Sequence, residues 1–286
     1  MKVVVVGYAS LDYVVRLDSP PRPDRTSTIL SRAVEWPQLG GSPAYVAAAL
    51  MAGGVRDPTA VSWVGDDREG DRYRASLAER GLGAEGIGVR PGRTPVCLLA
   101  YEPDGGCHCL YDPGLRPEPE LDERQRALIA AADALCMTVG PAEASREALA
   151  LARADACFAW VVKADSRAVP RDLAAAVAAR ADIVIFSQGE APFVEDALRG
   201  GSDAIRRPII VETRGRREVA MKQDSVLDVV AVDPIDVDDP TGAGDTFAGG
   251  FLAARLTGAG PAAALRAGVS IARAMLDERA RFLGRS

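Results

Sequence analysis

Four consecutive valines, Val3 to Val6, stand near the start of the chain as an unbroken β-branched run. That is the mark of a parallel strand buried on both faces. The same design repeats downstream, a short apolar run followed by a segment with helical character. Residues 60–64 precede a helix predicted over 68–80, and 134–139 precede one over 144–154. Residues 158–162 precede 171–179, and 183–186 precede 190–198. Residues 208–211 lead into β segments ending near Val232, and a helix from Pro261 to about Phe282 follows the last Gly-rich run. Alternating strands and helices predict an α/β fold, a mostly parallel sheet with helices on both faces.

Two segments break this alternation. Residues 12–36 hold short apolar pieces interrupted by Pro20, Pro21 and Pro23. Residues 96–111 alternate weakly about the turn Pro103-Asp104-Gly105-Gly106. Both read as exposed antiparallel hairpins. Together they predict a small sheet projecting from that core, with residues 1–286 forming one large α/β domain or two smaller ones.

Composition narrows the choice. With 286 residues and 48% hydrophobic content, the chain has ample material for a core. The net charge is −6 and no long basic run occurs, which argues against a nucleic-acid partner. No stretch approaches the ~20 apolar residues of a membrane helix. The apolar start is cut by Gly7 and Asp12, so it does not read as a signal peptide. These features predict a cytoplasmic protein with no membrane partner. Five cysteines give no even disulfide framework. Cys107-His108-Cys109 looks like a metal cluster, but in a strand its middle residue faces away from the other two, and no second Cys or His pair completes a zinc site. His108 is the sole histidine, so a His-based mechanism is disfavoured. There is no Gly-x-x-x-x-Gly-Lys-Ser/Thr loop and no Gly-x-Gly-x-x-Gly after the first strand, which argues against P-loop and dinucleotide enzymes.

The richest chemistry lies in Asp238-Asp239-Pro240-Thr241-Gly242-Ala243-Gly244-Asp245-Thr246-Phe247. A Gly-rich turn here runs straight into an apolar helix. Gly242 and Gly244 allow unusual backbone angles and close approach of a ligand. The amides of Gly242, Ala243, Gly244 and Asp245 are the expected unpaired donors of the helix's first turn, an anion site suited to phosphate. Asp245 stands beside it, where a carboxylate could take a proton from a substrate hydroxyl. An anion hole next to a base fits phosphoryl transfer. The competing reading is a plain helix cap with an acid in the first turn.

This run resembles the C-terminal signature of the ribokinase-like (PfkB) family of sugar and nucleoside kinases. Gly40-Gly41-Ser42-Pro43-Ala44-Tyr45, opening an Ala-rich helix, resembles the family's N-terminal signature. Two ordered signatures about 200 residues apart are more specific than either alone. The resemblance implies a three-layer α/β/α core with a β lid, ATP and Mg²⁺ as cofactors, and transfer of the γ-phosphoryl group to a primary hydroxyl of a sugar or nucleoside. It implies Asp245 as the base and the 242–245 amides as the anion hole. Asp12, just past the first strand, lies where open α/β sheets bind ligands, and the family uses an Asp there to hold sugar hydroxyls. Gly40 and Gly41 become substrate contacts and the hinge between lid and core.

Some positions depart from the family. Tyr45 stands where relatives often have a substrate-contacting Asn, and it could stack on a ring or fill space. Ser187-Gln188-Gly189-Glu190 keeps the Glu of an Asn-x-x-Glu motif but replaces the Asn. There Glu190 is the expected Mg²⁺ group, largely through water, and Ser187 lies on the nucleotide side. Thr213 and Gly215 resemble a Thr-x-Gly phosphate contact. Asp239 matches a position where relatives bind a monovalent cation such as K⁺ with several backbone carbonyls, in a cage completed by a C-terminal segment that is shorter here. Relatives often pair through their lids, so a homodimer is expected. A nucleoside-specific kinase and a degenerate, non-catalytic sugar- or nucleotide-binding member are the alternative readings.

Overall fold

A computed structural model describes residues 1–200, 208–237 and 239–283. Asp238 of the Gly-rich run lies outside them. The valine run forms β1 (Val3–Val6), an interior strand of the large sheet. Parallel neighbours flank it, β5 (Thr59–Gly65) on one side and β9 (Ala134–Met137) on the other. Beyond β9 come β10 (Cys157–Val161), β11 (Ile183–Ser187) and β12 (Ile209–Thr213), all parallel. An antiparallel hairpin, β13 (Glu218–Gln223) and β14 (Val226–Ala231), extends that side. The short strand β6 (Ile87–Arg90) closes the other edge of this nine-stranded sheet.

Strand side chains alternate between two cores, as the pleat requires. Val4 and Val6 face one core, with Ala144 and Ala148 of α4 (Ala142–Leu151), Val177 of α5 (Arg171–Arg180) and Val194 of α6 (Ala191–Gly200). Val3 and Val5 face the other, with Val46 and Leu50 of α1 (Ser42–Ala52), Phe247 and Phe251 of α7 (Ala243–Leu256) and Leu265 of α8 (Pro261–Leu283). α2 (Arg68–Glu79) packs Tyr73 and Leu77 on the α1 side. The expected three-layer arrangement follows from this division. Among the elements not predicted are β6 and α3 (Glu123–Ala130). β6 is four residues long with a glycine inside it. α3 carries a capping box, Asp122 with Gln125, which was the available signal.

The second sheet contains the two expected hairpins and more. β2 (Ser10–Leu17) pairs antiparallel with β3 (Ile29–Arg32), and β7 (Val96–Tyr101) with β8 (Cys107–Asp112). β2 and β7 pair in parallel and join the hairpins into one sheet. β4 (Gln38–Gly40) adds to β2 and carries the sheet past residue 36, the expected boundary. Asp12, expected at the start of the lid segment just past the first strand, is a strand residue of this small sheet. None of the described helices is long and apolar enough to cross a membrane.

Candidate active site

α7 starts where the sequence predicted. Gly242 is its N-cap and adopts a left-handed conformation, φ +76°. That angle favours glycine, and a Cβ at this position would also collide with the Tyr45 ring. The Ala243 amide donates back to the Pro240 carbonyl at 3.1 Å, and the Thr246 amide bonds the Gly242 carbonyl at 2.8 Å. Ala243 is thus not a free donor, contrary to the expectation for the whole 242–245 run, because the tight turn folds its amide onto Pro240. The amides of Gly242, Gly244 and Asp245 find no backbone partner among the described residues. Gly244 faces open space. A positive helix end with uncommitted amides is an anion site.

Asp245, in the first turn of α7, is shielded enough that its carboxyl is pushed up to about 6. Burial is the main cause; the Ser42 hydroxyl and Lys163 pull it back, and Glu190 pushes it further up. Asp12 is buried, accepts a 2.6 Å hydrogen bond from the Ser10 hydroxyl, and is also lifted to about 6. Burial again leads, Ser10 opposes it, and the charges of Asp239 and Asp245 add to it. Asp12 of the small sheet and Asp245 of helix α7 therefore share one electrostatic neighbourhood. Gly40 lies against Asp12, since a Cβ there would fall on the carboxylate. Gly41 has φ +84° and caps α1 at the junction between small sheet and core.

Thr213, Gly215, Ala243 and Gly244 line one cleft of about 460 Å³. Its lining also carries an apolar group, Val219, Val232, Phe247, Val269 and Leu276. Turn residues and apolar side chains in one cleft are the mixture that a ligand with phosphates and a base would need. Glu190 accepts from the Ser187 amide at 2.8 Å, from the Ser187 hydroxyl at 2.9 Å and from the Ala164 amide at 3.2 Å. Ser187 is thus the partner of Glu190 in a capping box. Asp239 is buried, and its side chain caps the Thr241 amide at 3.0 Å. Tyr45 packs its ring against Gly242 and receives a 3.3 Å hydrogen bond from Arg279. Of its two sequence readings, space filling describes its surroundings here. Cys107, His108 and Cys109 sit on β8, and no group of three potential metal-ligating side chains occurs among the described residues.

Three residues escaped the sequence reading. Lys163, just after β10, acts electrostatically on Asp245, Cys107 and Cys109. The Tyr101 hydroxyl, at the end of β7, meets the Thr241 hydroxyl at 3.0 Å and links the small sheet to the Gly-rich turn. Arg279 reaches that turn from α8. None has a local signal, because each acts on residues far away in the chain.

A family model described as pfkB family carbohydrate kinase matches residues 1–280. The chain belongs to the PfkB family. It is 33% identical over 266 residues to an ATP-dependent ribose-1-phosphate kinase of Halopiger xanaduensis, covering 90% of this chain and 86% of that one. It is 27% identical to a nucleoside kinase of Methanothermobacter thermautotrophicus, covering 90% and 83%. Among solved structures, a putative ribokinase II of E. coli in complex with ATP and Mg²⁺ shares the fold with a TM-score of 0.77, at 20% identity and with 100% and 99% covered. This PfkB protein is accordingly a phosphotransferase acting on sugar or nucleoside alcohol groups, and the family implies ATP and Mg²⁺.

Proposed function

We propose that this kinase moves the γ-phosphoryl group of ATP to a primary hydroxyl of a sugar or nucleoside, with Asp245 as base. One observation carries the reading: Asp245 follows directly on Ala243 and Gly244, which line the cleft with Thr213 and Gly215, at a helix end with uncommitted amides, and its charge bears on Asp12. Asp12 and the Gly40–Gly41 turn hold the acceptor. Asp245 takes the hydroxyl proton as the oxygen–phosphorus bond forms. The bond from phosphorus to the β-phosphate oxygen breaks, and ADP leaves. The amides of Gly242, Gly244 and Asp245 meet the charge on the transferred group, where fixed dipoles are most effective. Lys163 supplies a positive charge at the same place.

Mg²⁺ suits Glu190, since a carboxylate bonded to two amides and a hydroxyl keeps further lone pairs for metal-bound waters. When bound, Mg²⁺ neutralises phosphate charge. The small sheet serves as a lid over the acceptor, and its exposed apolar residues support pairing with a second copy. The cytoplasm, which holds ATP, is the proposed location. A non-catalytic role is disfavoured because Asp245 and the open Gly244 amide are both in place.

The names of the relatives set the acceptor panel: ribose, ribose 1-phosphate and nucleosides, each tested by ADP release. We expect turnover on at least one. Asp245→Asn should lower kcat by about 10²–10⁴-fold, while ATP binding by calorimetry persists. An Asp245→Asn enzyme keeping more than about a tenth of the rate would end the base assignment.

A further inference from the structure

The Gly-rich turn has a second face, and a side chain fills it. Nη1 of Arg279 donates to the Thr241 carbonyl at 2.5 Å and to the Asp239 carbonyl at 3.2 Å, and stands 3.4 Å from the Asp239 carboxylate. Nη2 donates to the Tyr45 hydroxyl at 3.3 Å, and the guanidinium carbon lies 5.7 Å from the centre of the Tyr45 ring. Three oxygens of one turn converge on a single charged nitrogen. A potassium ion held by the Asp239 and Thr241 carbonyls would need the space that this nitrogen occupies. The cation site expected at Asp239 is therefore incompatible with the residues present.

We infer that the guanidinium of Arg279 is a built-in substitute for the monovalent cation, and that it positions the anion-hole turn without potassium. The physical route is short. A trans peptide points its C=O and N–H in opposite directions. Fixing the Thr241 carbonyl on Arg279 therefore turns the Gly242 amide away from the guanidinium, and that amide is one of the uncommitted donors. The Tyr45 ring presses on Gly242 from beside it and restrains the same peptide. The Arg279 side chain is only 20% exposed and that of Asp239 only 7%, so water and salt screen the contact little. Arg279 touches no reacting atom. It is a positioning residue.

The inference rests on the anion-hole reading of residues 242–245, and the test separates the two. Initial rates of the wild type are compared in potassium, sodium and tetramethylammonium salts at equal ionic strength. The expected rates agree within about twofold; activation by potassium of more than about threefold overturns the inference, because an absent positioning cation costs far more than that. Arg279→Ala should lose about ten- to a hundredfold in kcat with a smaller change in the KM for ATP. Dilute guanidinium or potassium should restore part of that loss, as no purely structural defect would allow. A well-folded Arg279→Ala enzyme with wild-type kcat, or one that neither ion restores, overturns the inference. Thermal melting gives a readout without turnover. Potassium should raise the melting temperature of Arg279→Ala over the sodium control and leave the wild type unmoved; a wild type stabilised by potassium counts against the inference. If Arg279→Ala does not fold, Arg279→Lys replaces it: potassium-independent turnover supports the inference and potassium-dependent turnover overturns it. Failure of the anion-hole reading looks different, since it appears as wild-type kcat retained in Gly244→Pro, which deletes one of the uncommitted amides and leaves Arg279 in place.

Discussion

Asp12 and Asp245 hold their protons more tightly than free carboxyls do, each lifted to about 6 chiefly by burial. Both act as acceptors in the proposed chemistry, so both must be ionised. The kcat/KM profile should fall below about pH 6 with a slope approaching two, and Asp12→Asn should reduce that slope to one. A profile flat from pH 5 to 8 would contradict the assignment. The same shift weakens the fold. A carboxyl with a raised folded-state pKa adds most stability below its unfolded value, near 4, and that contribution is lost as pH rises through about 6. For Asp245, moving from 3.8 to about 6 corresponds to as much as about 3 kcal/mol. Asp245→Asn should therefore melt higher than wild type at pH 8 and no higher near pH 4. Differential scanning calorimetry at the two pH values checks this. Asp245 was legible in sequence because it sits inside a continuous run of special residues. Arg279 was not, since an arginine on an Ala-rich helix looks like an ordinary solvated side chain until the fold brings it to Thr241.

Strand β1 and helix α7 were legible because each has a strong signature of its own, four valines in one case and a glycine turn before an apolar run in the other. β6 and α3 were not, being short and weakly patterned. The small sheet shows a subtler loss. Its hairpins could be read from prolines and turns, but the parallel pairing of β2 with β7 joins residues 11–16 to 96–101, and no local feature announces a contact of that range. This pairing places Tyr101 over the Gly-rich turn. Tyr101→Phe deletes its bond to Thr241, which at about 1 kcal/mol is worth roughly fivefold in affinity. The acceptor KM should rise by about that factor, and ADP release without acceptor should increase as the lid loosens. Unchanged values for both would show that Tyr101 does not couple lid to turn.

The molecule leaves several large apolar side chains in water, and they cluster on the small sheet. Ile29 is 57% exposed, Leu30 63% and Leu110 63%, and Val34, in the connection between β3 and β4, is 61% exposed. An isolated exposed leucine is ordinary, but several on a sheet this small suggest a covered face. β14 carries a second set, Val226, Leu227 and Val229, at the edge of the large sheet. Sedimentation should find a dimer, with Leu110→Lys shifting it to monomer and Leu227→Lys leaving it intact. A monomeric wild type, or a dimer broken only by Leu227→Lys, would remove the lid as the pairing surface.

One turn, residues 239–245, borders every part of the proposed site. Pro240, Ala243 and Gly244 line the cleft proposed for ATP, Thr241 meets Tyr101 of the small sheet, and Asp239 and Asp245 bear on the charge of Asp12. Anything that tightens the turn at one border must be felt at the others. Thermodynamic linkage then fixes a symmetry: the factor by which bound acceptor improves ATP affinity equals the factor by which bound ATP improves acceptor affinity. The two ligands reach the enzyme as independent molecules, yet whatever coupling the turn carries between them is a single free energy that both share.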